Sequence, residues 1–109
     1  MLPAALRLGS TAQISATLKS GRRFPSQFLV LHIAPAPESV KCAFAVSKKV
    51  GNSVVRHRVT RQLRNIVQDN IDLIPPASRV VIRALPGAST ATFSQLEQSF
   101  LQALKKVPS

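Results

Sequence analysis

Acidic side chains are the scarcest functional groups in this sequence. Its 109 residues hold four, Glu38, Asp69, Asp72 and Glu97, against 15 Lys and Arg, giving a formal charge of +11. Four acids so widely spread form no paired-carboxylate motif, which excludes glycosidase-type acid–base chemistry. Aromatic residues are also few: five Phe, with no Trp or Tyr. A binding surface built mainly on stacked bases is therefore poorly supplied. The single cysteine, Cys42, excludes an intrachain disulfide and reads as a small buried hydrophobe in a chain suited to a reducing compartment. Apolar runs such as Phe28–Leu31 are far short of a membrane span. The opening MLPAALRL lacks a basic segment followed by a long apolar one, so it is not a secretory signal, and a cytoplasmic protein without membrane partners is expected. Internal repeats and long Gly/Ser linkers are absent as well, and the length suits one domain over residues 1–109.

What is present is a foldable pattern. Hydrophobic residues make up 45% of the chain, enough for a packed core. Residues 10–20 read as a short helix, with Ser10 and Gln13 as a capping box, Ile14 and Leu18 on one face, and Gly21 as the stop. A short strand is expected near 21–25. Residues 27–34 read as a buried strand ended by Pro35 and Pro37. Residues 40–47 alternate, with Val40, Cys42, Phe44 and Val46 on one side and Lys41 and Ser47 on the other. The turn between these two strands predicts that they pair antiparallel. Gly51-Asn52 marks a turn and Ser53 an N-cap. Residues 53–70 then form the best-defined helix, with Val55, Val59, Leu63, Ile66 and Val67 in one stripe. Pro75-Pro76 blocks continuation. Residues 79–85 read as a strand, and a last helix starts near Phe93, capped by Ser94 with Glu97. Its apolar face is Leu96, Phe100, Leu101, Leu104 and Val107. The order α-β-β-β-α-β-α indicates an α/β (α+β) sandwich.

The basic residues are segregated. Between Glu38 and Asp69 lie Lys41, Lys48, Lys49, Arg56, Arg58, Arg61 and Arg64 with no acid among them. A solvated face normally mixes signs, and this one does not. On the helix, His57, Arg58, Thr60, Arg61 and Arg64 fall opposite the apolar stripe, with Arg56 at the border. Arginine's planar fork suits phosphate, a helix N-terminus adds unpaired N–H groups, and Lys48 and Lys49 arrive from the preceding strand. The result is a cationic ridge for an RNA or DNA backbone, salt-dependent and without a base code of its own. Lys19, Arg22 and Arg23 form a smaller cluster around Gly21.

Self-sufficient catalysis finds no support. His32 sits at an apolar strand position and His57 among arginines, neither beside a carboxylate in sequence. No CxxC, HExxH or Gly-rich phosphate loop occurs, and Lys48-Lys49-Val50-Gly51 lacks Walker spacing. No catalytic and no metal-ligating residue is assigned.

The run FAVSKKVGNSVVRHRVTRQLR, residues 44–64, closely resembles the signature of the bacterial ribonuclease P protein subunit. That family has an SKKVG-type stretch, a Val-Val-like pair, and then Arg-Asn-Arg with further basic residues on the helix. The resemblance extends over almost the whole chain. Met1-Leu2-Pro3 with Arg7-Leu8, Gly21-Arg22, the LVLH strand, Val80-Val81-Ile82-Arg83 before Pro86-Gly87, and the terminal Leu/Lys helix follow in order. The resemblance implies a fold like the second domain of ribosomal protein S5, with a left-handed βαβ crossover where general chirality would give a right-handed one. It implies a protein joined 1:1 to ribonuclease P RNA. That RNA, with Mg2+ bound mainly to it, removes the 5′ leader from precursor tRNA. By position, Lys48, Lys49, Arg56, His57, Arg58, Arg61 and Arg64 would meet the RNA. Ile14, Thr17, Leu18, His32 and Phe44 would line a groove for the leader. His57 stands where the family usually has Asn, and Thr60 at a commonly basic position. Ile14 and Leu18 replace Phe residues, and His32 an aromatic such as Tyr, so the groove should stack bases less and rely more on apolar and cationic contact.

Two other readings compete. A non-catalytic ribosomal-like or RNA-chaperone module would bind RNA without stimulating cleavage. A basic amphipathic membrane-surface protein would prefer anionic vesicles to RNA, against which the apolar core and several strands argue.

Overall fold

Two strands carry unbroken apolar stretches, and they occupy the centre of the sheet. In a computed structural model, residues 11–35 and 40–107 are described. They form α1 (Thr11–Ser20), β1 (Arg22–Pro25), β2 (Leu29–Pro35), β3 (Lys41–Ala45), α2 (Ser53–Asp69), β4 (Ser78–Ala84) and α3 (Phe93–Lys105). Short 3-10 turns at Ile71–Leu73 and Pro86–Ser89 flank β4. This is the expected α-β-β-β-α-β-α order. Ser10 of the expected first cap, the Met1-Leu2-Pro3 and Arg7-Leu8 matches, and residues 36–39 of the Pro-rich turn lie outside the described residues.

The sheet order is β1-β2-β4-β3. The expected pairing of β2 with β3 is therefore wrong. β4 lies between them, antiparallel to β2 with Leu31 opposite Ile82, and parallel to β3 with Phe44 opposite Ile82. The reason is burial. Leu29, Val30 and Leu31 of β2 and Val80, Val81 and Ile82 of β4 are all at most 2% exposed, so these strands need neighbours and cover on both faces. β3 then runs parallel to β4 and reaches it through α2, as a βαβ unit.

One face of the sheet carries the main core. Leu29, Leu31, Cys42, Val80, Ile82 and Ala84 meet Val59, Leu63, Ile66 and Val67 of α2 and Leu96, Phe100 and Ala103 of α3. The other face carries a smaller cluster, Ala43 and Val81, covered by Ile14 and Leu18 of α1 with Ala45 beside them. The chain thus forms three layers: α1, sheet, and α2 with α3. Cys42 is 2% exposed, and burial pushes its thiol up to about 12.

Local chemistry sets the ends. The Gly21 N–H donates to the Thr17 carbonyl oxygen at 2.9 Å, and a Cβ at Gly21 would lie 2.4 Å from that oxygen, so the α1–β1 step requires glycine. The cap of α2 is Asn52, not Ser53. Asn52 is extended (φ −71°, ψ 179°) and its Oδ1 accepts from the Val55 N–H at 3.0 Å, which leaves Ser53 as the first helical residue. α3 starts at Phe93 as expected, but its capping box is Thr92 with Gln95, two residues before the expected Ser94 and Glu97. Glu97 instead accepts from Asn70 Nδ2 at 3.1 Å, joining α3 to the end of α2.

Leu63→Ala at the α2–sheet contact should destabilise the protein by about 2–5 kcal/mol. Val54→Ala, on the same helix but 76% exposed, should fall within about 0.5 kcal/mol of the parent. Urea unfolding followed by circular dichroism measures both.

Candidate nucleic-acid interface

The apolar stripe of α2 decides where its cations go. With Val59, Leu63, Ile66 and Val67 fixed in the core, His57, Arg58, Arg61 and Arg64 are exposed along the outer face. Arg56 and Thr60, at the border, are half-buried, and the Thr60 hydroxyl donates to the Arg56 carbonyl oxygen at 2.8 Å. The Arg56 Nε is buried without a partner among the described residues. Lys48 and Lys49 are exposed in the turn before the helix, where the Lys49 N–H donates to the Ser47 hydroxyl at 3.3 Å.

The helix start adds to this ridge. Asn52 satisfies the Val55 N–H with its side chain and the Arg56 N–H with its carbonyl. The N–H groups of Ser53 and Val54 stay without hydrogen-bond partners among the described residues, beside the two lysines. Of the described acids, Asp69 ends α2 at the opposite end, Asp72 lies just past it, and Glu97 lies in α3. The structure therefore brings Lys48, Lys49, Arg56, His57, Arg58, Arg61 and Arg64 onto one turn-and-helix element, as the sequence predicts. Arg58 also has a structural partner: its Nη2 donates to the Ser89 carbonyl, which ties α2 to the 3-10 turn after β4.

The second predicted group is only partly assembled. Ile14 and Leu18 sit half-buried on the sheet, and Thr17 is buried with its hydroxyl donating to the Gln13 carbonyl at 2.8 Å. His32 lies on this same face, opposite Val81 in the β2–β4 register. Phe44 does not join them. Strand alternation turns it to the other face, where it packs half-buried against the main core.

The α1 face also holds cations that the sequence reading did not assign to a site. Alternation with Val81 puts Arg79 and Arg83 on it, and register puts Arg23 of β1 opposite His32. Lys41 shares the face through Ala43 and Ala45. The signal was available in RVVIRA: two arginines four apart on a strand share one side.

His32 is 3% exposed. Its Nε2 accepts from Arg83 Nε at 3.3 Å, so the ring is neutral with its proton on Nδ1. Burial first, then the Arg83 and Arg23 charges, hold its pKa below the ordinary value of 6.5.

The chain matches the family model "Ribonuclease P" over residues 2–108. It belongs to the ribonuclease P protein family. The ribonuclease P protein component of Mycobacterium sp. (strain KMS) is 43% identical over 109 residues, covering 97% of this chain and 92% of the relative. That of Streptomyces avermitilis is 38% identical over 117 residues, covering 98% and 95%. Among solved structures, a Staphylococcus aureus RNase P protein mutant superposes with a TM-score of 0.84 at 25% identity, covering 93% of this chain and 86% of that one. The RNase P protein of Thermotoga maritima superposes at 0.84 with 19% identity, covering 94% and 98%, a likeness of fold. The chain is the RNA-binding subunit of ribonuclease P, its partner is the ribonuclease P RNA, and it serves that enzyme's tRNA processing.

Two outcomes are expected for this ribonuclease P subunit. Replacing Arg61 and Arg64 together with Ala should weaken binding to the RNA and lower the slope of log affinity against log salt by about two; filter binding across a salt series measures it. The second concerns pH. His32 has a lowered folded pKa, so the unfolded chain takes up its proton more readily. Stability is full above pH 6.5 and falls as pH drops below that value. The melting temperature should decline from pH 7.5 to 5.5 in the parent and less so in His32→Gln.

Proposed function

We propose that the α2 ridge docks the chain 1:1 onto ribonuclease P RNA, while the α1 face of the sheet holds the single-stranded 5′ leader of precursor tRNA. The observation that carries the reading is the run of cations from Lys48 to Arg64, all but Arg56 exposed, without an acid among them. Phosphates of a folded RNA meet Arg61 and Arg64 as adjacent forks, with Lys48, Lys49 and the helix N-terminus at one end. Ile14, Leu18 and the buried Thr17 give the leader an apolar wall, and Arg23, Arg79 and Arg83 give it charge.

Hydrolysis of the phosphodiester belongs, on this reading, to Mg2+ held mainly by the RNA. On this reading no chemical step is routed through the protein's side chains. The chain's contribution is electrostatic. Two RNAs repel each other through their phosphates, and a cationic body between them lowers that repulsion and the magnesium needed to overcome it. No helix of the described residues is long and apolar enough to cross a membrane. The proposed setting is the cytoplasm.

Reconstitution tests this directly. Purified protein, a bacterial ribonuclease P RNA and labelled precursor tRNA are mixed at magnesium too low for the RNA alone. Cleavage at the mature 5′ end only when both components are present is the expected result. Binding without stimulation would favour an RNA-chaperone module, and cleavage by the protein alone would overturn the assignment of chemistry to the RNA.

A further inference from the structure

An arginine held by a carboxylate is well placed but loses its net charge to its partner. Arg83 is placed differently. It is half-buried in β4, its Nε–H is committed to His32 Nε2 at 3.3 Å, and its two terminal amino groups have no partner among the described residues. It also lines a cavity of about 340 Å³ with Ala45, Val46, Ser47, Lys49 and Pro86, at the ends of β3 and β4 where the α1 face meets the ridge. We infer that His32 is a positioning residue for Arg83: its neutral imidazole fixes the guanidinium through Nε and leaves both terminal amino groups, and the full positive charge, for a phosphate of the bound strand.

This rests on the reading of the α1 face as the leader's site and deepens it. A neutral acceptor is the group such a task needs. A carboxylate at this position would compete with the phosphate for the same fork. An apolar side chain would leave Nε unpaired in a half-buried place and free the side chain to turn. The surroundings keep the imidazole neutral. Arg23 of β1 lies across from it, Arg79 and Arg83 of β4 share its face, Lys41 of β3 lies at the far edge, and Lys19 is the one ionisable residue of α1. No described acid is on this side. The arrangement also fixes the tautomer. The proton sits on Nδ1, which is buried without a partner among the described residues.

The test uses the holoenzyme with two ligands, precursor tRNA and tRNA lacking the leader. His32→Phe keeps a ring but removes the acceptor. It should weaken precursor binding by about tenfold while leaving the leaderless tRNA and the RNA subunit bound as before. His32→Gln, whose side-chain oxygen accepts the same N–H, should recover most of that loss. Arg83→Ala should lose at least as much as His32→Phe, and the double variant no more than Arg83→Ala alone. Imidazole 15N spectra of the free protein at pH 7 should show His32 as the Nδ1–H tautomer. Additive losses, a Gln variant as weak as Phe, or an Nε2–H tautomer would each overturn the inference. Normal precursor binding by Arg83→Ala would also overturn it. In that case Ile14→Asp separates the two readings: leader affinity lost there keeps the groove, and leader affinity kept there removes the groove as well.

Discussion

The insertion of β4 between β2 and β3 is the constraint on which the rest of the structure depends. β4 pairs with both neighbours and is buried on both faces at Val80, Val81 and Ile82. With β4 central, β3 runs parallel to it, and a parallel neighbour requires a crossover long enough to span the sheet. The crossover is α2, and the apolar stripe that seals it to the sheet turns its other face to solvent. The position of Arg61 and Arg64 is thus a consequence of the burial of Leu63 and Val67. A ridge on a packed helix holds its cations at fixed spacing, which a mobile basic tail does not.

The same sheet separates two kinds of cationic surface. On the α2 side the charges are exposed and stand on a helix, suited to the backbone of a folded partner. On the α1 side they stand on strands beneath a helix and are mixed with Ile14, Leu18 and Thr17, so that charge and apolar surface lie side by side. Arg58 shows that the first surface is also tied to the fold, since its bond to the Ser89 carbonyl clips α2 to the turn that follows β4.

Much of this was legible in the residues. The 3.6-residue stripe of α2 needed no structure to be seen, and the cations opposite it followed. Strand existence was legible for the same reason, since apolar runs and alternation are local signals. Pairing was not: it depends on which strands need two neighbours, a property of the whole sheet. The unbroken LVLH and VVI runs held that information, but the short connection between residues 35 and 40 suggested a hairpin instead. The caps fall one and two residues before the expected serines because Asn52 and Thr92 compete with Ser53 and Ser94 for the same role, and backbone angles decide the winner. On the α1 face, Ile14, Thr17, Leu18 and His32 come together, whereas Phe44 is turned away by the alternation that places it with Cys42. Arg79 and Arg83 share one side of the RVVIRA strand, but alternation alone does not say which side α1 covers. The bond from Arg83 to His32 joins residues 51 positions apart and leaves no local trace.

Cys42 gives the molecule a built-in clock. Its thiol is the chain's only one, lies under α2 on edge strand β3, and is held protonated by its surroundings. A thiol so enclosed reacts with an alkylating reagent only after the edge strand has parted from the helix, so its labelling rate counts those openings. Because β3 leads directly into Lys48 and Lys49, anything that holds that turn against the sheet would slow the clock.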